Sequence, residues 1–466
     1  MHTNKPKIII IITVIIIGLI LTVITAGLFK QKTGDFKADS KVTTIVFAHY
    51  EIQDSASFGN KTDAIKELIK KFEKIHPDIK VKEEILPNQS DIQHQYYVIN
   101  LEGNTPNIDV LSMDVIWIKE FAKAGWILDL DKYINKKDFQ DFITPLYGSI
   151  TYNNKIYAEP WVLTSGALFY RKDLLEKYGF KSPQTFEELV NQSLYILKKE
   201  NNPDLYGYLW QGNEQEGMVC NVLEYLYSLN GAILNADKVV IDSPQNKKAL
   251  TFLQSLFKSG VSPDTVKTSN LIVNRRLFLQ GHGIFMRDWS TSYKQITGKD
   301  SPLYGKAGMA NMPRFEGYQN APVLGGHQLG INKSSKHPKE SYEFIKFITN
   351  PAAQKFLAMN SLFLPSRHSV YKDEKLVKTY PFLKTYYEEI IPTIKSRPLD
   401  PYYVMFSSAL QSEFSAIIVG RQSIDKSLKI AKDQIEFIID SSKEKNSRIL
   451  TKSSNHDKKE KKEKTE

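Results

Sequence analysis

The 466-residue sequence predicts an α/β protein of two lobes, each a mixed sheet flanked by helices, behind an N-terminal transmembrane helix. Three observations point there. Continuous β-branched runs alternate with stretches of 3.6-residue apolar periodicity, the order of a sheet covered by helices. The alternation restarts after residue 155, which makes two such units. A composition of 41% apolar and 24% charged residues suits two or three packed cores. It excludes a disordered chain and a polytopic membrane protein.

The first element runs from Ile8 to Phe29, 22 residues without a charge, between Lys5 and Lys7 on one side and Lys30 and Lys32 on the other. As a helix at ~1.5 Å per residue it reaches about 33 Å, enough for a bilayer core. A cleaved signal peptide has only ~7–15 apolar residues in that place. An uncleaved anchor is therefore preferred, with cleavage near Thr25-Ala26-Gly27 as the alternative. Both put the folded body outside the cytoplasm, on the cell membrane if anchored and secreted if cleaved.

Past a linker ending at residue 41, residues 42–49 (VTTIVFAH) form a buried strand. Ile65, Leu68, Ile69, Phe72 and Ile75 line a helix closed by Pro77. Strands follow at residues 79–86 and 108–113, then a helix with Phe121 and Ala122 that ends near Gly125. The second unit holds a strand at residues 167–170 and a helix opened by the capping box Thr185-Phe186-Glu187-Glu188, with Leu189, Val190, Leu194 and Leu197 on one side. Apolar helices come at residues 222–229 and 249–257, and a strand at 283–286. A further α/β stretch spans residues 308–349, stopped by Pro351, and the last apolar helix ends near Ile439. The expected division is residues 42–157 with 304–352 in lobe 1, and 158–303 with 353–440 in lobe 2. Residues 441–466 have a Lys/Glu/Ser composition expected to stay disordered.

Charge and motifs narrow the function. The net charge is +10, of which residues 1–37 and 441–466 supply +4 each, so the body carries only +2 and has no nucleic-acid footprint. Cys220 is the single cysteine, which rules out a disulfide scaffold. The sequence has no GxSxG elbow, no HExxH, no GxxxxGK loop and no histidines at metal spacing, so neither metal nor cofactor is expected. A glycosidase carboxylate pair stays open. Trp117, Trp161, Trp210 and Trp289 sit in polar, Gly-rich segments. Near Asp114, Gln211 and Arg397, such rings suit a sugar, whose C–H face stacks while its hydroxyls pair with carboxylates and guanidinium forks.

The order of motifs goes further. It comprises Asp109-Val-Leu-Ser-Met-Asp114-Val-Ile-Trp117, Gly125-Trp126, Phe169-Tyr-Arg-Lys-Asp-Leu-Leu-Glu-Lys-Tyr-Gly179 and Trp210-Gln-Gly212 with Glu216-Gly-Met-Val-Cys220. Arg287-Asp-Trp289, Leu324-Gly-Gly326, Leu329-Gly-Ile331 and Arg397-Pro-Leu-Asp-Pro-Tyr-Tyr403 complete it. In this order they resemble the trehalose/maltose-binding branch of the extracytoplasmic solute-binding proteins of carbohydrate ABC importers.

The resemblance implies a periplasmic-binding-protein-like fold, its two lobes joined by a hinge of crossing strands, in a monomer that closes on a small-molecule sugar and delivers it to ABC permease transmembrane subunits. It places ligand-binding roles on Asp114, on the stacking Trp289, on Gly325 and Gly326, and on Arg397. Several family contacts differ here: the aromatic after the glycines is His327, an Asp is Thr164, and Tyr positions are Val162 and Thr291. An acidic position falls at Asn60 or Lys61, and an Arg position at Gln93 or His94. Trp161, beside the lost Tyr, is a candidate for replacement stacking. Three functions follow: a sugar receptor for an importer, a surface receptor or adhesin that kept the scaffold, or a carbohydrate-active enzyme.

Overall fold

A run buried or half-buried along most of its length, Thr43–Tyr50, sits inside the first sheet. The computed structural model describes residues 42–50, 63–87, 89–236, 238–361 and 363–463, with residues 444–463 as backbone alone. Residues 8–29, Asn60 and Lys61 lie outside it. Among the described residues no helix is long and apolar enough to cross a membrane.

Thr43–Tyr50 (β1) leads to Ala64–Ile75 (α1), capped by Asp63, whose carboxylate accepts from the Lys66 amide. Ile65, Leu68, Ile69 and Phe72 of α1 are buried, while Ile75 ends the helix exposed. Ile79–Leu86 (β2) pairs in parallel with β1 in full register, from Thr43 opposite Ile79 to Tyr50 opposite Leu86. Ser90–Glu102 (α2) follows, and Val110–Asp114 (β3) flanks β1 on its other side. Ile118–Ala124 (α3) stops at Gly125, whose φ of 73° is the left-handed conformation a helix end favours.

The chain then crosses. Glu159–Pro160 (β4) closes the edge of the first sheet, and two residues on, Val162–Arg171 (β5) starts the second. Phe186–Glu200 (α4) is capped by Thr185, whose hydroxyl accepts from Glu188 N at 3.1 Å, while the Glu188 carboxylate accepts from Gln184 N. Its buried face is Phe186, Leu189, Ser193 and Ile196; of the predicted face, Leu189 is buried and Val190 and Leu197 pack against the core partly buried, so only Leu194 departs. Leu194 is exposed because five residues past Leu189 lies about 140° round a helix of ~3.6 residues per turn.

Tyr206–Leu209 (β6), Glu216–Ser228 (α5), Pro244–Lys258 (α6), Gly283–Trp289 (β7) and Ala307–Ala310 (β8) continue the second lobe. There the strand order is β8-β5-β7-β6, with β5 antiparallel to both neighbours. Leu324–Gly325 (β9) pairs with the start of β5, and His327–Ile331 (β10) re-enters the first sheet antiparallel to β3. The first sheet is thus β2-β1-β3-β10-β4.

The return to lobe 1 therefore comes at β9–β10, after β8, rather than near residue 304. Pro338–Ile348 (α7) ends before Pro351, which opens Pro351–Asn360 (α8) with Asn350 as its cap. Ala353 and Leu357 of α8 share a core with Ile65, Leu68 and Phe72, so this helix belongs to lobe 1. The third crossing follows it, where Leu364–Pro365 (β11) pairs with Leu163 and Val162.

Side-chain amides knit these crossings. Gln328 accepts from Trp161 N and donates to Val162 O. Gln354 donates to Trp161 O and accepts from Ser366 N. Lys294 of lobe 2 donates to the carbonyls of Ala358, Met359 and Ser361 at the end of α8, and burial pushes its ammonium down to about 7.

Tyr403–Ile418 (α9) and Ile424–Glu463 (α10) finish the second lobe, packed through Phe414, Ile417, Leu428, Ala431 and Ile435. The tail predicted as disordered continues α10 through Glu463. Lys and Glu are good helix formers, and extending a packed helix carries no nucleation cost.

Candidate ligand site between the lobes

Ligands of open α/β sheets sit outside the carboxyl ends of their strands, and β3 ends at Asp114. Its Oδ1 accepts from Ile116 N at 3.2 Å, turning the chain into α3, and from Arg397 Nη2 at 2.8 Å. Arg397 Nη1 donates to Glu216 Oε1, also at 2.8 Å. Glu216 opens α5 of the second lobe and accepts from the hydroxyls of Tyr403 and Ser407 as well. One buried guanidinium thus joins a carboxylate of lobe 1 to a carboxylate of lobe 2. Its Nε has no partner among the described residues.

His327 is opposite Asp114 in the β3–β10 ladder. Its ring lies 4.2 Å from that of Tyr50 and 6.1 Å from that of Trp117, and Nδ1 is 3.3 Å from Ser112 Oγ. Loss of water around the ring lowers its pKa below the ordinary value, more than the Asp114 carboxylate raises it. Burial also pushes the Tyr50 phenol up, with Asp114 adding to the effect.

The glycines before His327 are required by space. A Cβ on Gly325 would lie 2.8 Å from Trp289 Cζ3, and one on Gly326 would lie 2.1 Å from Val162 O. Gly326 also has a φ of 119°, which side-chain-bearing residues rarely adopt. Thr164 pairs with Gly325, and its hydroxyl is 3.2 Å from that of Ser290. Trp289 therefore rests on the Gly325 backbone, partly buried.

His94 Nε2 is 2.8 Å from Glu120 Oε2, and the ring is flanked by Trp117 and Phe121. Together with Asp91, Trp117, Glu216, Ser407 and Gln411 it lines an interlobe cavity of about 290 Å³. Of the predicted site residues only His94 lines that cavity; Asp114, Trp161, Thr164, Trp289, Gly325, Gly326, His327 and Arg397 do not.

Three of the four tryptophans marked in the sequence are interior. Trp117, Trp161 and Trp210 are 1%, 1% and 0% exposed. Polar sequence neighbours do not decide where a side chain points, because successive strand residues face opposite ways. Trp161 is enclosed by Phe47 and Phe363, with ring centroids at 5.7 and 5.0 Å, so its ring has no free face for replacement stacking. Trp210 donates its indole N–H to Ser262.

Glu216, Tyr403 and Ser407 were given no role on sequence grounds. A signal existed. α5 is buried nearly all round, yet it carries two carboxylates, Glu216 and Glu224. A charged group on such a helix must be paired.

Two α/β lobes linked by three crossings, with side chains of both meeting in one polar gap, define a binding protein that holds its ligand between lobes. The chain belongs to the bacterial extracellular solute-binding protein family, whose model matches residues 58–355. A probable ABC transporter-binding protein of Deinococcus radiodurans is 29% identical over 361 residues, 76% of this chain and 85% of that one. The maltotriose-binding protein of Pyrococcus abyssi is 25% identical, covering 68% of this chain and 66% of its own. Among solved structures, maltose-bound MalE3 of T. maritima is 33% identical with a TM-score of 0.77, spanning 85% of this chain and 100% of that one. Members of this family bind solutes and do not transform them, so the enzyme alternative falls away. Membership also places the folded body on the extracytoplasmic side.

Proposed function

We propose that the protein is the substrate-binding component of an ABC sugar importer, taking a disaccharide or small oligosaccharide of the maltose or trehalose type. The observation that carries this reading is the Asp114–Arg397–Glu216 array, where hydroxyl-pairing groups from both lobes meet. A sugar hydroxyl entering between Asp114 and Arg397 donates to the carboxylate and accepts from the guanidinium, replacing the bond they make to each other. His327, Gly325 and Gly326 form one wall, Trp289 supplies the stacking face, His94 borders the cavity, and Thr164 stands at the crossing. A ligand touching both lobes only when they are shut binds that form more tightly, so it shifts the population towards closure. The closed form is what the permease subunits receive. Residues 8–29 anchor the monomer in the membrane, or direct its secretion if cleaved.

Titration calorimetry and thermal unfolding with maltose, maltotriose, trehalose and mannitol test the reading. At about 100-fold excess over the dissociation constant, a true ligand adds about 2.7 kcal/mol of stability. A folded protein that gives no binding heat and no melting shift across the panel overturns it.

A further inference from the structure

Beneath Trp289 lies a second charged pair. Arg287, two residues earlier on β7 and therefore on the same face, donates Nε to Glu224 Oε2 at 3.0 Å and Nη2 to Glu224 Oε1 at 2.6 Å. Both side chains are sealed from water, at 0% and 1% exposure. Such a pair loses much hydration on burial and is weak as a source of stability, so its contacts show its use. The guanidinium carbon lies 4.3 Å from the centroid of the Trp289 ring. The Glu224 carboxylate accepts a third hydrogen bond, at Oε1, from the backbone N–H of Val323, one residue before β9. The backbone makes room for it, since a Cβ on Gly166 would lie 1.8 Å from Glu224 Oε1. Gly166 in turn is opposite Trp289 in the β5–β7 ladder, and its N–H donates to Val323 O.

We propose that Arg287 and Glu224 are positioning residues for sugar binding, fixing the Trp289 ring on one side and the crossing strand before Gly325 on the other. The inference rests on the sugar-binding reading above. The planar guanidinium holds the indole at one tilt by cation–π contact, and the bidentate carboxylate fixes the guanidinium. Because the same carboxylate binds Val323, the stacking ring and the Gly325-Gly326 turn it rests on are set together. A lysine at position 287 keeps the charge and loses both the fork and the flat face.

The full-length chain labelled with 5-fluorotryptophan gives a test, because it holds only five tryptophans and W289F assigns the resonance of interest. In R287K and in E224Q, we expect the Trp289 fluorine resonance to move without ligand while the other four stay. Maltose affinity should fall by about tenfold, in the range of a lost cation–π and orientation contribution. If R287K does not fold, E224Q, which preserves shape and removes only the charge, supplies the same two readouts. An unmoved Trp289 resonance in a folded variant overturns the proposal, whatever the affinity does. Wild-type protein that binds no sugar, with the resonance still moving in R287K, leaves the positioning in place and removes the sugar reading instead.

Discussion

Arg287 and Arg397 are both buried and both paired with carboxylates, but the carboxylates come from different places. Arg287 finds Glu224 inside the second lobe, at 0% and 1% side-chain exposure. Arg397 takes Asp114 from one lobe and Glu216 from the other, at 14% and 9% exposure against its own 3%. A pair within one lobe keeps its geometry whichever way the lobes stand. A pair drawn from both must stretch or break when they part. The first suits a fixed platform, and the second a contact that a guest can replace.

The largest expected effect separates the two. Arg287→Met leaves Glu224 buried and unpaired and should cost about 3–5 kcal/mol, measured as a lowered urea midpoint without ligand. A loss under ~0.5 kcal/mol, the level of an ordinary surface change, would erase the distinction. Arg397→Met should cost less, about 1–3 kcal/mol, because Glu216 keeps the hydroxyls of Tyr403 and Ser407 and water can reach Asp114. Its distinctive sign is a larger radius of gyration by X-ray scattering in the ligand-free protein. An unchanged radius would mean that Arg397 does not tie the lobes.

Thr185→Ala sharpens the contrast from outside the cleft. Losing the cap of α4 should cost about 1 kcal/mol and leave maltose affinity untouched in calorimetry. The smallest effect is on pH. The His327 imidazole has a pKa below its ordinary 6.5, so the unfolded chain takes up its proton more readily. The resulting stability is complete above pH 6.5 and is lost as pH falls through 6.5 towards the folded-state value. His327→Gln should flatten that part of the profile below pH 6.5, followed by melting temperature.

Much of the fold was legible because its signals are local. β1 and β2 lie within a residue of their predicted bounds, β1 because a run such as IVFA is covered on both faces only inside a sheet, and β2 because apolar and charged residues alternate along IKVK. The Thr185 cap sits where the capping box places it. The crossings were not legible. β4, β9 and β11 have two residues each, too short for any periodicity to show, and their amide staples Gln328 and Gln354 come from far along the chain. The meeting of Asp114 with Arg397 agrees with the motif order, whereas Trp161 and Trp210 show that a ring's neighbours in sequence do not reveal which way it faces. Glu216 was visible only as a misplaced charge on an apolar helix.

β5 carries one more consequence. Its first residues pair with β9 and β11 at the pivot, and its later ones are the central strand of the second sheet. Side chains alternate along a strand, so one inserted residue between Val162 and Gly166 would turn every later position over. Leu168 would face where Phe169 now does, and the gap at Gly166 would receive a side chain. This stretch is thus closed to changes of length in any descendant of the sequence, while the turns at Gly305 and Gly317, both exposed, are where an added residue is tolerated.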